Sequence, residues 1–336
     1  MIPTGIIVRR QSMKIRSFLG RATLATSLAA LLGGGDPAPA HAAAPQVKTQ
    51  APGFYRMMLG DFEITVLSDG TAPQPVEKLL TNTQPEHVRS LLADAYLTSP
   101  MEMSINAYLI NTGSQLFLVD TGAGELFGPS AGRLVSNLRA AGYQPEQVDA
   151  VLLTHIHGDH SGGLVVAGKP VFPNATVHAH KREADYWLSP ANAEKASDHH
   201  KPSFQHAVAS LAPYVTAGKL KTFEGSTELA PGLRTLESLG HTPGHSFYVA
   251  ESQGQKLVFW GDLMHVAAVQ FPEPAVTIQY DVDSKAAAAQ RAKAYADAAK
   301  QGYLVAVDHI SFPGIGHLRP QGKGYSWLPV NYSFTK

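Results

Sequence analysis

The chain has 336 residues, enough for one large domain or two small ones, and 44% of them are hydrophobic, an ordinary share for a globular core. Lys+Arg and Asp+Glu both number 27, which excludes the one-signed field that nucleic acid or an anionic membrane would recognise and leaves a small molecule as the expected partner. Histidines number 15 and cysteine is absent, so a transition-metal site here must be built from imidazole and carboxylate, and thiolate zinc sites are excluded.

The N-terminus reads as an export signal. Arg9, Arg10, Lys14, Arg16 and Arg21 form a basic lead, Ala22 to Leu32 is apolar, and Ala40-His41-Ala42 puts small residues where a signal peptidase inspects. The apolar run is about half of the roughly 20 residues that a membrane span needs, and Gly33-Gly34-Gly35 with Pro37 and Pro39 end it. Residues 1–42 are therefore expected to be a cleaved signal peptide and residues 43–336 one mature domain, periplasmic or secreted, with no membrane attachment after cleavage.

Past a Pro- and Ala-rich leader, Arg56 to Leu59 and Phe62 to Leu67 are predicted strands around the turn Gly60-Asp61. Asn106 to Asn111 and Gln115 to Asp120 form a second pair, with consecutive apolar residues that suit strands covered on both faces. Ala131 to Ala141 has helical spacing and stops at Gly142, and Val148 to Leu153 is a short strand leading into a histidine cluster. Ala175 to Ala179 is a predicted strand. Arg182 to Leu188 and Phe204 to Leu211 are predicted helices on either side of a polar stretch, Ser189 to Ser203, that reads as an entrance loop. Ser246 to Glu251 and Lys256 to Trp260 are paired strands turning at Gln253-Gly254. An Ala-rich helix from Ser284 to Lys300, with Ser284 as its cap, then precedes the strand Tyr303 to Val307. Two runs of β followed by α imply a layered α/β sandwich in which two β-rich halves meet.

The chemistry concentrates in His155-Ile156-His157-Gly158-Asp159-His160. These are ligand types that zinc prefers, and side-chain direction repeats every two residues at a strand's end, so His155 and His157 point to one side. Asp159 and His160 lie on the turn beyond, where Gly158 lets the chain bend. One pair suits one metal and the next pair a second. His241 and Asp262 each lie beside an apolar strand, a rigid element that can aim a ligand.

In these motifs the chain resembles the metallo-β-lactamase superfamily. They occur in order: Asp120-Thr121-Gly122, the cluster from His155 to His160, His241 in His-Thr-Pro-Gly-His, Asp262 after a strand, and His309 after the strand Tyr303 to Val307. The resemblance implies an αββα sandwich of the metallo-β-lactamase fold. It also implies one metal on His155, His157 and His241, a second on Asp159, His160 and His309, and the Asp262 carboxylate bridging them. Two divalent ions, zinc above all, are the expected cofactors. Asp262 and Asp159 are the expected catalytic carboxylates. Asp120 reads as a buried acceptor that orients the ligand loop, and His245 as a neighbour supporting the ligands. His178, His180, His199, His200, His206 and His317 read as structural or surface residues.

Within the superfamily, metallo-β-lactamases generally carry Cys or Ser at the position of Asp262, and redox di-iron members a carboxylate at that of His157, so both are disfavoured. Met57 to Ile64, Leu126-Phe127-Gly128-Pro129, the stretch from Ala140 to Asp149 and Phe312 to His317 are similar to the methyl parathion hydrolase group of lactonases and arylesterases. That similarity places Phe127, Trp187 and Phe204 at a pocket mouth and implies a homodimer. His265, Ile278 and Tyr280 differ from the group's residues at the same pocket. The expected activity is attack of a metal-activated hydroxide on lactones or aryl esters, with promiscuous organophosphate triester hydrolysis. The alternatives are a parathion-type phosphotriesterase as main activity and, in another class, a periplasmic metal-binding protein without turnover.

Overall fold

The computed structural model describes residues 44–333, and its packed unit begins at Gln50. The expected signal peptide lies outside the described residues. Two seven-stranded sheets form the centre. In the first, the strands run in the order Phe54–Leu59, Phe62–Gln74, Met101–Asn111, Leu116–Val119, Ala150–Leu152, Thr176–His180 and Leu220–Phe223. In the second they run Glu228–Ala230, Leu233–Glu237, Ser246–Ser252, Gln255–Phe259, Leu304–Ala306, Ile315–Gln321 and Gly324–Pro329. Each sheet starts with antiparallel hairpins and then takes up parallel neighbours, Leu116–Val119 with Ala150–Leu152 in one and Gln255–Phe259 with Leu304–Ala306 in the other.

Alternation along the strands sorts the side chains into layers. Tyr108, Ile110, Phe117 and Val119 of the first sheet meet Tyr248, Ala250, Leu257 and Phe259 of the second in the central core. Their sequence neighbours Ala107, Leu109, Leu116 and Leu118 face outward, against Leu134, Leu138, Phe204 and Leu211 of the first helical layer. Phe247 and Val249 likewise pack outward on Ala294, Tyr295 and Ala298 of the helix Ser284–Gln301. Strands covered on both faces read as continuous apolar runs for this reason. The result is the αββα sandwich.

Some local expectations change. The Ala-rich helix is capped by Asp283, whose carboxylate accepts the Ala286 amide at 2.9 Å, and not by Ser284, which lies inside the helix. The helix expected from Ala131 is confined to Leu134–Ala140, because buried Asp69 takes the amides of Gly132 and Leu134 and fixes the preceding loop. The polar stretch 189–203 contains a short helix, Pro190–Lys195. Helices Val76–Leu79 and Pro85–Asp94, unforeseen in the sequence, build a small apolar cluster with Met103, Val266 and Ile278 beside the ligand loops. Among the described residues no helix is long and apolar enough to cross a membrane.

Truncating Phe259, fully buried and tilted against the Tyr108 ring at 5.3 Å, should lower stability by about 3–5 kcal/mol. Val208→Ala, at a half-exposed helix position, should change it by less than about 0.5 kcal/mol. Urea unfolding at matched metal content compares the two, and equal midpoints would contradict a core between the sheets.

Candidate metal centre

The donor residues follow strand ends. Beyond Ala150–Leu152 the chain bends at Thr154, is extended at His157, and then closes a helical turn, Gly158–Ser161, that presents Asp159 and His160. His241 follows the strand Leu233–Glu237, Asp262 sits in the turn Gly261–Leu263, and His309 follows Leu304–Ala306. Gly261 has φ +51°, and a Cβ there would come within 2.8 Å of Thr154, so this turn can approach the His155 loop only as glycine.

Around Asp262 the donors divide into two sets. Its Oδ2 lies 3.6 Å from His155 Nε2 and 3.3 Å from His241 Nε2, and His157 Nδ1 lies 3.0 and 3.2 Å from those two nitrogens. Its Oδ1 lies 3.1 Å from His160 Nε2 and 3.0 Å from His309 Nε2, while Asp159 Oδ2 is 3.8 and 3.6 Å from the same pair. Donors held at about 2.0–2.1 Å by a tetrahedral ion are about 3.3–3.4 Å apart, so both sets have the spacing of a coordination shell.

The outer ring atoms settle which nitrogen faces inward. His241 Nδ1 donates to Asp281 at 2.9 Å, His160 Nδ1 to Asp120 at 2.9 Å, and His309 Nδ1 to the Ser104 carbonyl at 2.8 Å, which leaves each Nε2 a lone pair. His160 Nε2 and Asp262 Oδ1 are buried without any hydrogen bond. Such atoms are costly unless something else satisfies them, and a divalent cation does so for the Asp159, His160 and His309 set, while the other set fits by its spacing. The residues present therefore fit a metal pair.

Electrostatics follow the same division. Burial disfavours charge on Asp262, but His160, His309, His265 and His155 outweigh it and hold its pKa well below the carboxylate range. Burial also opposes the cations at His241 and His309, yet Asp262, helped by Asp281 at His241 and by Asp159 at His309, raises both to about 9. His155 and His157 are pushed well below the ordinary imidazole value, by burial first and then by neighbouring histidines.

Several residues position the donors without facing the centre. Asp120, at φ +57°, accepts the Thr154 amide at 2.8 Å and its hydroxyl at 2.6 Å as well as His160. His245 donates from Nδ1 to the Ser238 carbonyl and accepts the Asp262 amide on Nε2 at 3.0 Å, with its pKa pushed down to about 3 by burial and the His241 charge. Glu183, Asp281 and Asp308 were not foreseen. Glu183 and Asp281 lie far in sequence from the donors they serve, whereas Asp308 was legible as the neighbour of His309. Asp308 lies 3.2 Å from His160 Nδ1, and burial pushes its carboxyl well above the usual range.

A cavity of about 190 Å³ opens over the centre. It is lined by the donors His157, Asp159, Asp262 and His309, by apolar Ala72, Met103, Ile105 and Phe127, and by His199, His200, His206, His265 and Tyr280. Three of the expected pocket residues are corrected. Trp187, Phe204 and Ile278 do not line the cavity but are core residues, Trp187 because its ring packs beneath His157 and its Nε1 donates to Glu183. The reverse correction applies to His199, His200 and His206, which face the cavity and not merely the surface.

Four layers around a two-set imidazole and carboxylate centre define an αββα sandwich with a candidate metal site. A model of the metallo-beta-lactamase superfamily matches residues 101–311, and the chain belongs to that superfamily. Among solved structures it is similar to a hydrolase named AbOPH of the beta lactamase superfamily, at 38% identity and TM-score 0.81, over 85% of this chain and 100% of that one. It is also similar to AidC, a dizinc quorum-quenching lactonase solved with a product, at 27% identity and TM-score 0.76, over 84% and 98% of the two chains. An N-acyl homoserine lactonase from a Bacillus species is 25% identical over 172 residues, 46% of this chain. The chain spans 60% of that relative's length.

Glu183 joins the two loops that carry His155, His157 and His241. Its Oε2 accepts from the Ile156 amide at 3.0 Å and from Trp187 Nε1 at 2.9 Å, and its Oε1 accepts from the Gly244 amide at 2.7 Å. A glutamine supplies one acceptor oxygen and must turn an NH₂ toward one of these donors. Glu183→Gln should therefore weaken zinc binding by about 10–100-fold at one of two titrated sites while sparing the other. Equal weakening at both, or at neither, in a competitive chelator titration would contradict the selective role.

Proposed function

We propose that this protein is a binuclear, zinc-dependent hydrolase of lactones and aryl esters, with promiscuous activity on organophosphate triesters. The observation that carries the reading is the division of the Asp262 oxygens between two donor sets. His155, His157 and His241 would hold one ion, Asp159, His160 and His309 the other, and Asp262 would bridge them. Bound zinc supplies a Lewis acid and lowers the pKa of water from about 15.7 to about 7, so that hydrolysis proceeds at neutral pH.

The chain's own groups orient the substrate. The wall of Ala72, Met103, Ile105 and Phe127 takes its apolar part, and Phe127 offers an aromatic face to an aryl or acyl group. In the polar part of the lining, His265 Nε2 lies 3.1 Å from Asp262 Oδ2, its ring stacks on His309 at 5.1 Å, and the Tyr280 hydroxyl bonds Gln74 at 3.1 Å. These rings bound a slot that suits a planar ester better than a phosphotriester, whose substituents project on every side. The lactonase relatives support the same substrate class.

Export to the periplasm or beyond belongs to this proposal, supported by the basic, apolar and small-residue order of residues 1–42. A homodimer belongs to it through the resemblance to the parathion hydrolase group.

The test is turnover of dihydrocoumarin, phenyl acetate, N-hexanoyl homoserine lactone and methyl paraoxon by one zinc-loaded preparation, with the ester and lactone rates expected to exceed the phosphotriester rate. His265→Leu should raise the kcat/KM ratio of methyl paraoxon to dihydrocoumarin about tenfold, a differential of roughly 1.4 kcal/mol. An unchanged or lower ratio at matched metal content would reject His265 as a determinant of specificity.

A further inference from the structure

His206 is a cavity residue to which the preceding mechanism gives no task. It projects from the helix Lys201–Thr216, whose Phe204, Ala207 and Leu211 are anchored in the first helical layer. Its half-buried ring makes no hydrogen bond, ion pair or ring contact among the described residues. The other polar lining groups each have a neighbour, although His200 Nε2 and His265 Nδ1 are buried without a hydrogen bond. His265 faces Asp262, the Tyr280 hydroxyl holds Gln74, His200 Nδ1 lies toward Ser197, and exposed His199 stacks on Tyr280 at 5.7 Å.

The ring lies close against the turn that presents Asp159 because Gly158, between His157 and Asp159, has no side chain. A Cβ at that position would come within 2.8 Å of His206 Nδ1 and 3.2 Å of Leu126. Such a contact displaces the imidazole from the turn that presents Asp159. Gly158 has an ordinary negative φ, so its role here is clearance and not backbone freedom.

We propose that His206 is a catalytic residue that donates a hydrogen bond to the leaving oxygen of the substrate, in a space that Gly158 keeps open. The assignment rests on the hydrolase reading above. In that reaction water adds to the carbonyl carbon, the bond from that carbon to the leaving oxygen breaks, and negative charge gathers on this oxygen. The attacking water supplies both protons, one to the alcohol and one released from the new carboxylic acid. A neutral imidazole carries one N–H, which is sufficient to stabilise the oxygen while charge develops. An alkoxide depends on that donor. A phenolate delocalises its charge and depends on it far less.

The experiment measures kcat/KM for N-hexanoyl homoserine lactone, whose leaving oxygen is aliphatic, and for dihydrocoumarin, whose leaving oxygen is phenolic. His206→Ala should lose about a hundredfold on the first and less than about threefold on the second. His206→Gln, which keeps an N–H, should recover part of the loss. Gly158→Ala should reproduce the substrate-selective loss, and the double variant should be no worse than His206→Ala alone. Metal content and melting temperature, read on every variant, separate this effect from misfolding or metal loss. Equal losses on both substrates at full metal content, or additive losses in the double variant, overturn the role of His206 and leave the hydrolase reading standing. A zinc-loaded wild type that turns over neither ester overturns both.

Discussion

Buried donors that face one another are stable only when a charge of opposite sign sits between them or when each is tied back from outside. At the centre of this protein both conditions act on Asp262. Its carboxylate is almost fully buried, imidazole nitrogens of His155, His160, His241, His265 and His309 lie within 3.6 Å of its oxygens, and Oδ1 has no hydrogen bond. Desolvating a carboxylate costs several kcal/mol after relaxation, so the arrangement persists only because the surrounding structure holds it and because a cation repays it.

The sandwich is that holding structure. The parallel strand pairs end at donor loops, and buried acceptors pin several of them: Asp120 under Thr154 and His160, Glu183 between Ile156 and Gly244, and Asp281 behind His241, while Asp69 holds the neighbouring segment from Ala123 to Leu134, which carries no donor. Second partners of this kind fix tautomer and ring orientation, which determines whether a donor set is preorganised or must collapse around the metal. The cost includes Asp120 at positive φ, a conformation worth on the order of 1–3 kcal/mol in strain for most side chains and milder for aspartate.

The layered fold and the donor types were legible because both depend on local pattern. Apolar runs such as Leu116 to Val119 mark strands covered on both faces, and the cluster from His155 to His160 concentrates ligands at a spacing that side-chain alternation can be applied to directly. The cavity walls were less legible. Trp187, Phe204 and Ile278 are apolar, but which face of a helix or strand meets the opening depends on tertiary packing, and all three turn into the core. His206 was misread for the converse reason. A lone histidine on a helix has no pattern that separates surface from cavity, and only the absent side chain of Gly158, 48 positions earlier, makes room for it. Glu183 and Asp281 act through backbone and ring contacts across 61 and 40 positions, a range at which one sequence holds no local signal.

The proposed bridge at Asp262 is tested most directly by anomalous diffraction at the zinc edge from crystals of the zinc-loaded protein. Two peaks about 3.5–4 Å apart are expected, one against Asp262 Oδ2 with His155, His157 and His241, the other against Oδ1 with Asp159, His160 and His309. A single peak at full zinc loading, or two peaks that share one carboxylate oxygen while the other stays free, would contradict the bridging role on which the proposed chemistry depends.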